Sequence, residues 1–155
     1  MKSDRGLIYL IKQLELGVRR PFLEAVSSHG MNFAQYTALT VLIRLPGLTS
    51  SELARRSFVR AQTMAETVAA LVDGGLVRRE PDPDHGRQIL LYITAKGLDR
   101  INETVDDVRA VEDAMLRNLT DDEIEVFGSY LRSSRDALRK HEPAPVSGQL
   151  QPDLD

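Results

Sequence analysis

Gln62 and Thr63 carry side chains that both donate and accept hydrogen bonds, and they follow Arg60 by two and three residues. A primary amide on a helix can meet the N6/N7 edge of adenine with one acceptor and one donor, so Gln62 is suited to reading a base edge. Thr67 lies one turn beyond Thr63 and is grouped with them, while Glu66 either accepts from cytosine or repels phosphate. Arg55, Arg56, Arg60, Arg78 and Arg79 surround these residues. Guanidinium groups bind phosphate with a planar fork of donors, and Arg60 and Arg78 are the backbone contacts expected here. The remaining arginines are divided between solvent, partners such as Glu52 and Glu80, and phosphate. Thr49 and Ser51 stand at a helix start, where unpaired N–H groups favour an anion. Arg87 falls in the charged run Pro81-Asp82-Pro83-Asp84-His85-Gly86-Arg87. An arginine at the tip of such a loop fits a narrow minor groove, which concentrates negative potential.

These residues need elements to hold them. Thr49-Ser50-Ser51-Glu52 reads as a capping box, with a hydroxyl and a carboxylate three residues apart exchanging hydrogen bonds with each other's backbone. The helix it opens closes at Phe58-Val59. Ala61 to Asp73 carries Met64, Val68, Leu71 and Val72 at helical spacing, with Met64, Val68 and Leu71 as core, and stops at Gly74-Gly75. Leu76–Arg79 and Ile89–Ile93 are strand-like runs on either side of the charged loop. Two short helices followed by a β-hairpin make a winged helix-turn-helix, whose second helix enters the major groove of duplex DNA.

On the N-terminal side, Leu7, Leu10, Ile11, Leu14, Val18 and Phe22 form one helical stripe, interrupted by Gly17. That helix either ends near Pro21 or is kinked there and continues to the Ser27–Gly30 cluster. A second helix runs from Phe33 to Leu45 and stops at Pro46-Gly47. On the C-terminal side, Thr94 caps a long helix with Leu98, Ile101, Val105, Val108, Val111 and Met115 as its buried seam. Thr120-Asp121-Asp122-Glu123 is a second capping box, opening a helix with Ile124, Phe127, Leu131 and Leu138 on one side. The fold class is therefore mainly α with a small β-hairpin wing: a winged helix-turn-helix plus a helical dimerisation lobe. The expected organisation is a dimerisation helix over 1–30, a DNA-binding domain over 31–97, dimerisation helices over 98–141 and a disordered tail over 142–155. The terminal stripes exceed what a small winged module covers, and large exposed apolar patches mark interaction surfaces. A two-fold homodimer would cover them and set two reading helices on one face of the duplex.

The whole chain of 155 residues is 42% hydrophobic and 28% charged, an ordinary globular composition. Its net charge of −3 is unevenly spread. Residues 1–48 hold 6 basic and 3 acidic groups, residues 49–100 hold 8 and 7, and residues 101–155 hold 6 and 13. The acidity thus sits in the C-terminal segment and leaves the winged module slightly basic. No apolar run suggests a membrane span or a signal peptide, so the expected location is cytoplasmic. With no cysteine there is no disulfide framework, thiolate metal site or thiol switch. His29, His85 and His141 are too scattered for a metal site, and no cofactor is expected. A cysteine nucleophile, a glycine-rich phosphate loop after a strand and a carboxylate pair with a supporting His are all lacking, so an enzyme is not expected.

The order Leu48-Thr49-Ser50-Ser51-Glu52-Leu53-Ala54-Arg55-Arg56, Gln62-Thr63-Met64, Val68-Ala69-Ala70-Leu71, Gly75-Leu76-Val77, Pro81-Asp82-Pro83, Gly86-Arg87 and Leu91-Tyr92-Ile93-Thr94-Ala95-Lys96-Gly97 resembles the multiple antibiotic resistance regulator (MarR) family of transcription factors. The likeness spans about residues 7–140. It implies an obligate homodimer on a pseudo-palindromic operator, usually a repressor, released by a small aromatic or phenolic effector. The family places an aspartate two residues before its wing arginine, where this chain has His85. It often has serine where Arg60 stands, and the lack of cysteine excludes the thiol-oxidation branch. The resemblance also implies an effector cleft near the first two helices, where Arg20, His29, Tyr36 and Arg44 are candidate ligands for an aromatic carboxylate. On composition alone the stronger reading of these four is the ordinary one: surface arginines, a loop histidine and a partly buried tyrosine. The alternative function is a winged-helix module that binds protein rather than DNA.

Overall fold

The computed structural model describes residues 6–139; the tail expected over 142–155 lies outside them. Among the described residues, α1 (Leu7–Ser27), α2 (Phe33–Arg44), α3 (Ser50–Ser57) and α4 (Ala61–Asp73) precede β1 (Val77–Pro81) and β2 (Ile89–Ile93), followed by α5 (Ala95–Leu116) and α6 (Asp121–Arg139). The chain divides into one compact unit up to Met115 and a second from Leu116 onward.

In the first unit, α2 and α3 start at reciprocal caps. Asn32 Oδ1 accepts from Gln35 N at 2.9 Å while Gln35 Oε1 accepts from Asn32 N at 3.0 Å, opening α2. Thr49 and Glu52 do the same for α3. Each pair satisfies two of the backbone donors that a helix leaves unpaired at its N-terminus. α1 runs through Pro21 to Ser27, so the proline does not end it. Pro21 has no N–H for the carbonyl four residues back, on Gly17, and the loss of one bond is tolerated in this long helix.

The core gathers Leu39 and Leu42 of α2, Leu53 and Ala54 of α3, and Met64, Val68 and Leu71 of α4 against Leu76, Val77 and Leu91 of the hairpin. Each fully buried leucine contributes roughly 2–3 kcal/mol relative to exposure. The strands pair antiparallel with Val77 opposite Ile93 and Pro81 opposite Ile89. β1 thus begins one residue later than its apolar run and reaches Pro81, a residue that an edge strand accommodates. The turn after α2 docks on this hairpin. Leu91 N donates to Leu48 O at 2.9 Å and Gly47 N donates to Leu91 O at 2.9 Å. Gly47 has φ 79°, and a Cβ there would stand 3.0 Å from the Tyr92 hydroxyl, so only glycine fits without displacement.

α5 starts against the end of α4. Thr94 Oγ1 donates to Gly75 O at 2.6 Å and accepts from Gly97 N at 3.1 Å. Lys96 Nζ donates to Gly74 O at 2.9 Å, placing a cation at the C-terminus of α4. Gly97 lies so close to Leu76 that a Cβ would collide with its carbonyl oxygen. The buried line of α5 is Gly97, Ile101 and Thr104. Leu98 is not part of it, being 40% exposed, because the close approach at Gly97 turns the neighbouring position outward. Val105, Val108, Val111 and Met115 are half-buried.

In the second unit, Thr120 caps α6. Its N–H donates to Glu123 Oε2 at 2.9 Å and Glu123 N donates back to Thr120 Oγ1 at 3.4 Å. Ile124 and Phe127 are half-buried, and Leu131 and Leu138 are exposed. The α1 stripe is exposed from Leu7 to Leu14, and half-buried at Val18 and Phe22.

Candidate nucleic-acid interface

The N-terminus of α4 is open. Arg60, the N-cap residue, is extended at φ −64° and ψ 148° and makes no side-chain cap hydrogen bond. The first turn holds no acidic residue, so the unpaired N–H groups and the helix dipole face outward unopposed. Gln62 and Thr63 are exposed in that turn. Ala61, Ala65 and Ala70 are also exposed, which gives the outer face of α4 small side chains that permit close approach to another surface. Glu66 is exposed one turn further on.

Thr67 is not on this face. It is 8% exposed and its hydroxyl donates to Thr63 O at 2.8 Å. Helical spacing puts it with Met64, Val68 and Leu71 in the core, and this corrects its grouping with Gln62 and Thr63. Thr49 is also committed internally. Its hydroxyl accepts from Glu52 N at 3.3 Å and donates to Glu52 Oε2 at 3.0 Å. Those bonds, the backbone N–H of Thr49 foremost, hold the Glu52 carboxyl below the usual carboxylate range. Ser51 remains exposed in the first turn of α3.

On the wing, Arg78 stands opposite Tyr92 in the strand register, and its guanidinium lies 4.7 Å from the centre of that ring. It also forms an ion pair with Glu80. Arg78 is thus an exposed cation, braced by Tyr92 and partly neutralised by Glu80. Arg87 is exposed at the tip and makes no hydrogen bond or ion pair with the described residues. The tip is closed by Asp82 instead: its Oδ1 accepts from Asp84 N at 2.9 Å and its N–H donates to Gln88 O at 2.9 Å. Gln88 N donates to His85 O at 2.8 Å. Neither Asp84 nor His85 holds the Arg87 side chain.

The four effector candidates have different local surroundings. Arg20 pairs with Glu24 at 2.8 Å, and His29 Nε2 lies 2.7 Å from Asp107 Oδ2 on α5. Tyr36 packs edge-on against Phe22 at 5.5 Å, and Arg44 sits exposed at the far end of α2. Two grooves flank α1: one of about 380 Å³ that includes Arg20, and an apolar one of about 560 Å³ lined by Glu15, Val18, Arg19, Phe22, Leu23 and Phe33. His29, Tyr36 and Arg44 line neither. The Asn32–Gln35 cap and the His29–Asp107 link are absent from the sequence reading. The first carries a visible signal, an Asn and a Gln three residues apart before an apolar run, whereas the second joins residues 78 apart and leaves none.

An open helix N-terminus with donors in its first turn, followed by a hairpin with a cationic tip, is the geometry of a winged-helix DNA reader. Residues 29–88 match the sequence profile of the MarR family. The HTH-type transcriptional repressor Rv2887 of Mycobacterium tuberculosis is 31% identical over 120 residues, covering 77% of this chain and 86% of that protein. Its structure in complex with DNA superposes with a TM-score of 0.70 at 28% identity, over 84% of this chain and 98% of that one. A MarR-family transcriptional regulator from Silicibacter pomeroyi gives a TM-score of 0.77 at 26% identity, over 88% and 92% of the two chains. The PcaV transcriptional regulator from Streptomyces coelicolor, in complex with its natural ligand, gives 0.65 at 25% identity over 88% and 94%. This chain belongs to the MarR family: it is a DNA-binding transcriptional regulator and not an enzyme. No helix among the described residues is long and apolar enough to cross a membrane.

Proposed function

We propose that this regulator is a cytoplasmic, ligand-responsive repressor that binds a pseudo-palindromic operator as a homodimer. The observation that carries the reading is the open N-terminus of α4, where Arg60, Gln62 and Thr63 are exposed together with uncapped backbone donors. In this reading residues 31–97 form the DNA-binding module. Gln62 and Thr63 meet base edges, and Arg60 and Ser51 meet phosphate, with the Thr49 N-cap shaping that helix end. Arg87 enters the minor groove, and Arg78 braces the wing through Tyr92.

The homodimer is supported by α1, whose Leu7, Leu10, Ile11 and Leu14 are exposed within the chain, and by the exposed Leu131 and Leu138 of α6. Residues 1–30 and 98–141 are assigned to that interface. An aromatic or phenolic effector fits the apolar groove beside α1, whose walls include Phe22 and Phe33 and whose rim carries Arg19. Solved relatives bound to DNA and to a natural ligand support both halves of the reading.

The test is a titration of the purified protein against a pool of genomic fragments at low salt, with the bound fragments sequenced. Recovery of fragments sharing an inverted repeat is expected, with half-sites about 10 base pairs apart centre to centre. Failure to retain any fragment at low salt would overturn the reading and favour a protein partner.

A further inference from the structure

α4 carries no basic residue; its charged side chains are Glu66, near the middle, and Asp73 at its last position. Glu66 stands two residues from each of the buried Met64 and Val68, which puts it about 200° round the helix from both. It therefore lies at the centre of the exposed face, directed away from the core. Its neighbours one turn before are Gln62 and Thr63, and one turn beyond are Ala69 and Ala70. None of these is a cation, and Glu66 makes no hydrogen bond or ion pair with the described residues. A glutamate on an exposed helix face needs no partner, so its freedom alone assigns nothing. Its place does.

A helix seated in the major groove turns its outermost line to the base edges and its flanks to the phosphates on either wall. Gln62 and Glu66 occupy successive turns of that line, about 6 Å apart along the helix axis, so they meet bases within about two steps of one another. Ala69 and Ala70 beyond them are small enough to let the helix sit deep. An ionised carboxylate only accepts hydrogen bonds, and the groove edges that offer a donor are the exocyclic amines of cytosine and adenine. Adenine sets its N7 acceptor beside that amine and so repels one carboxylate oxygen, whereas cytosine presents its amine alone. Guanine and thymine present only acceptors, O6 and N7 or O4. The chemistry selects cytosine.

We propose that Glu66 is a specificity-determining residue of the DNA interface, its carboxylate accepting a hydrogen bond from the N4 amine of one cytosine in each half-site. The inference rests on α4 being the reading helix. Glu66 acts in two directions. It favours one base, and as an anion among phosphates it disfavours every duplex that offers no amine in that place. No covalent bond is made or broken.

The experiment selects duplexes from a random-sequence pool with full-length wild type, Glu66→Gln and Glu66→Ala. Because Glu66 is exposed, both variants are expected to fold like wild type. Wild type should return a consensus with cytosine at one position of each half-site. Glu66→Gln should return adenine there, since an amide meets the N6/N7 edge with both its groups, and Glu66→Ala should return no preference at that position. Each protein is then titrated, at one salt concentration, against the wild-type consensus, a scrambled duplex, and a copy of the consensus in which that cytosine is replaced by a pyrimidinone base lacking the amine. Glu66→Ala is expected to bind the consensus about tenfold more weakly per half-site, and the scrambled duplex at least as tightly as wild type does. Loss of the amine should weaken wild type by a similar factor and leave Glu66→Ala unaffected. The proposal is overturned if Glu66→Ala tightens on consensus and scrambled duplex alike, the mark of a carboxylate that only repels phosphate. It is overturned too if Glu66→Gln keeps the wild-type consensus, or if the missing amine affects wild type and Glu66→Ala equally. A wild type that selects no duplex removes the reading-helix assignment itself, whereas a consensus shared by wild type and Glu66→Ala removes only the role of Glu66.

Discussion

Gln62 and Arg60 stand at the same helix end but differ in what they can distinguish. An amide meets one base-pair edge well and others poorly, whereas a guanidinium meets every phosphate alike. Gln62→Ala is therefore expected to cost about 1–3 kcal/mol on the cognate duplex and much less on a scrambled one, read by paired titrations at one salt concentration. Arg60→Ala should weaken both nearly equally; equal losses for Gln62→Ala would show that Gln62 reads no base. Arg87 and Arg78 divide in the same way by their surroundings. Arg87 is unbraced at the wing tip, and its removal should lower affinity and reduce the salt slope by about one per half-site. Arg78 is already paired with Glu80 and seated on Tyr92, so Arg78→Ala should change that slope less than Arg87→Ala. Thr67 shows what residue type alone conceals. Its chemistry matches that of Thr63, but its position one turn on rotates it into the core.

The helices of this chain are legible where their ends are written in side chains. The boxes at Thr49 and Thr120 can be read directly, and Gly74-Gly75 marks the end of α4, so its span of Ala61–Asp73 follows from sequence. What escapes is whatever depends on one element meeting another: Leu98 facing outward, the hairpin bridged to Leu48, and His29 linked to Asp107. The caps also have a pH signature. Glu52 and Glu123 are held below the usual carboxylate range by hydrogen bonds from Thr49 and Thr120, backbone N–H first and hydroxyl second. A carboxylate lowered on folding stabilises the fold above its unfolded value of about 4.3, and that contribution is lost as pH falls through the folded value. Thermal unfolding of wild type should therefore decline more steeply below about pH 4.3 than that of Glu52→Gln/Glu123→Gln, which keeps acceptors but carries no charge. Parallel curves would show that the caps owe nothing to charge. At the junction of α5 and β1, Gly97→Ala forces a methyl group onto the Leu76 carbonyl oxygen. Neither atom sits on a flexible side chain, so a loss of about 1–3 kcal/mol in denaturant unfolding is expected.

For the whole molecule, the assembly is the question with most consequence. Exposed aliphatic residues are tolerated singly, but the run of Leu7, Leu10, Ile11 and Leu14 along α1 marks a surface meant for covering, and α6 separately exposes Leu131 and Leu138. Leu131→Asp leaves the chain's own core untouched, since Leu131 is exposed within it, yet places a charge in the proposed interface. Sedimentation should show the wild type as a dimer at micromolar concentration and Leu131→Asp shifted toward a folded monomer, a penalty of several kcal/mol. A wild type that sediments as a stable folded monomer would remove the homodimer from the proposal.

The bridge between Leu48 and Leu91, with Thr94 and Lys96 fastened to Gly75 and Gly74, has a mechanical corollary. Wing and α4 are fastened into one frame, so a small push from outside moves the two together. In a dimer of such stiff callipers the soft coordinate is the gap between the two jaws. A shift of that gap by a few ångströms, against a DNA repeat of about 34 Å, would put both out of step with the duplex while each jaw kept its shape.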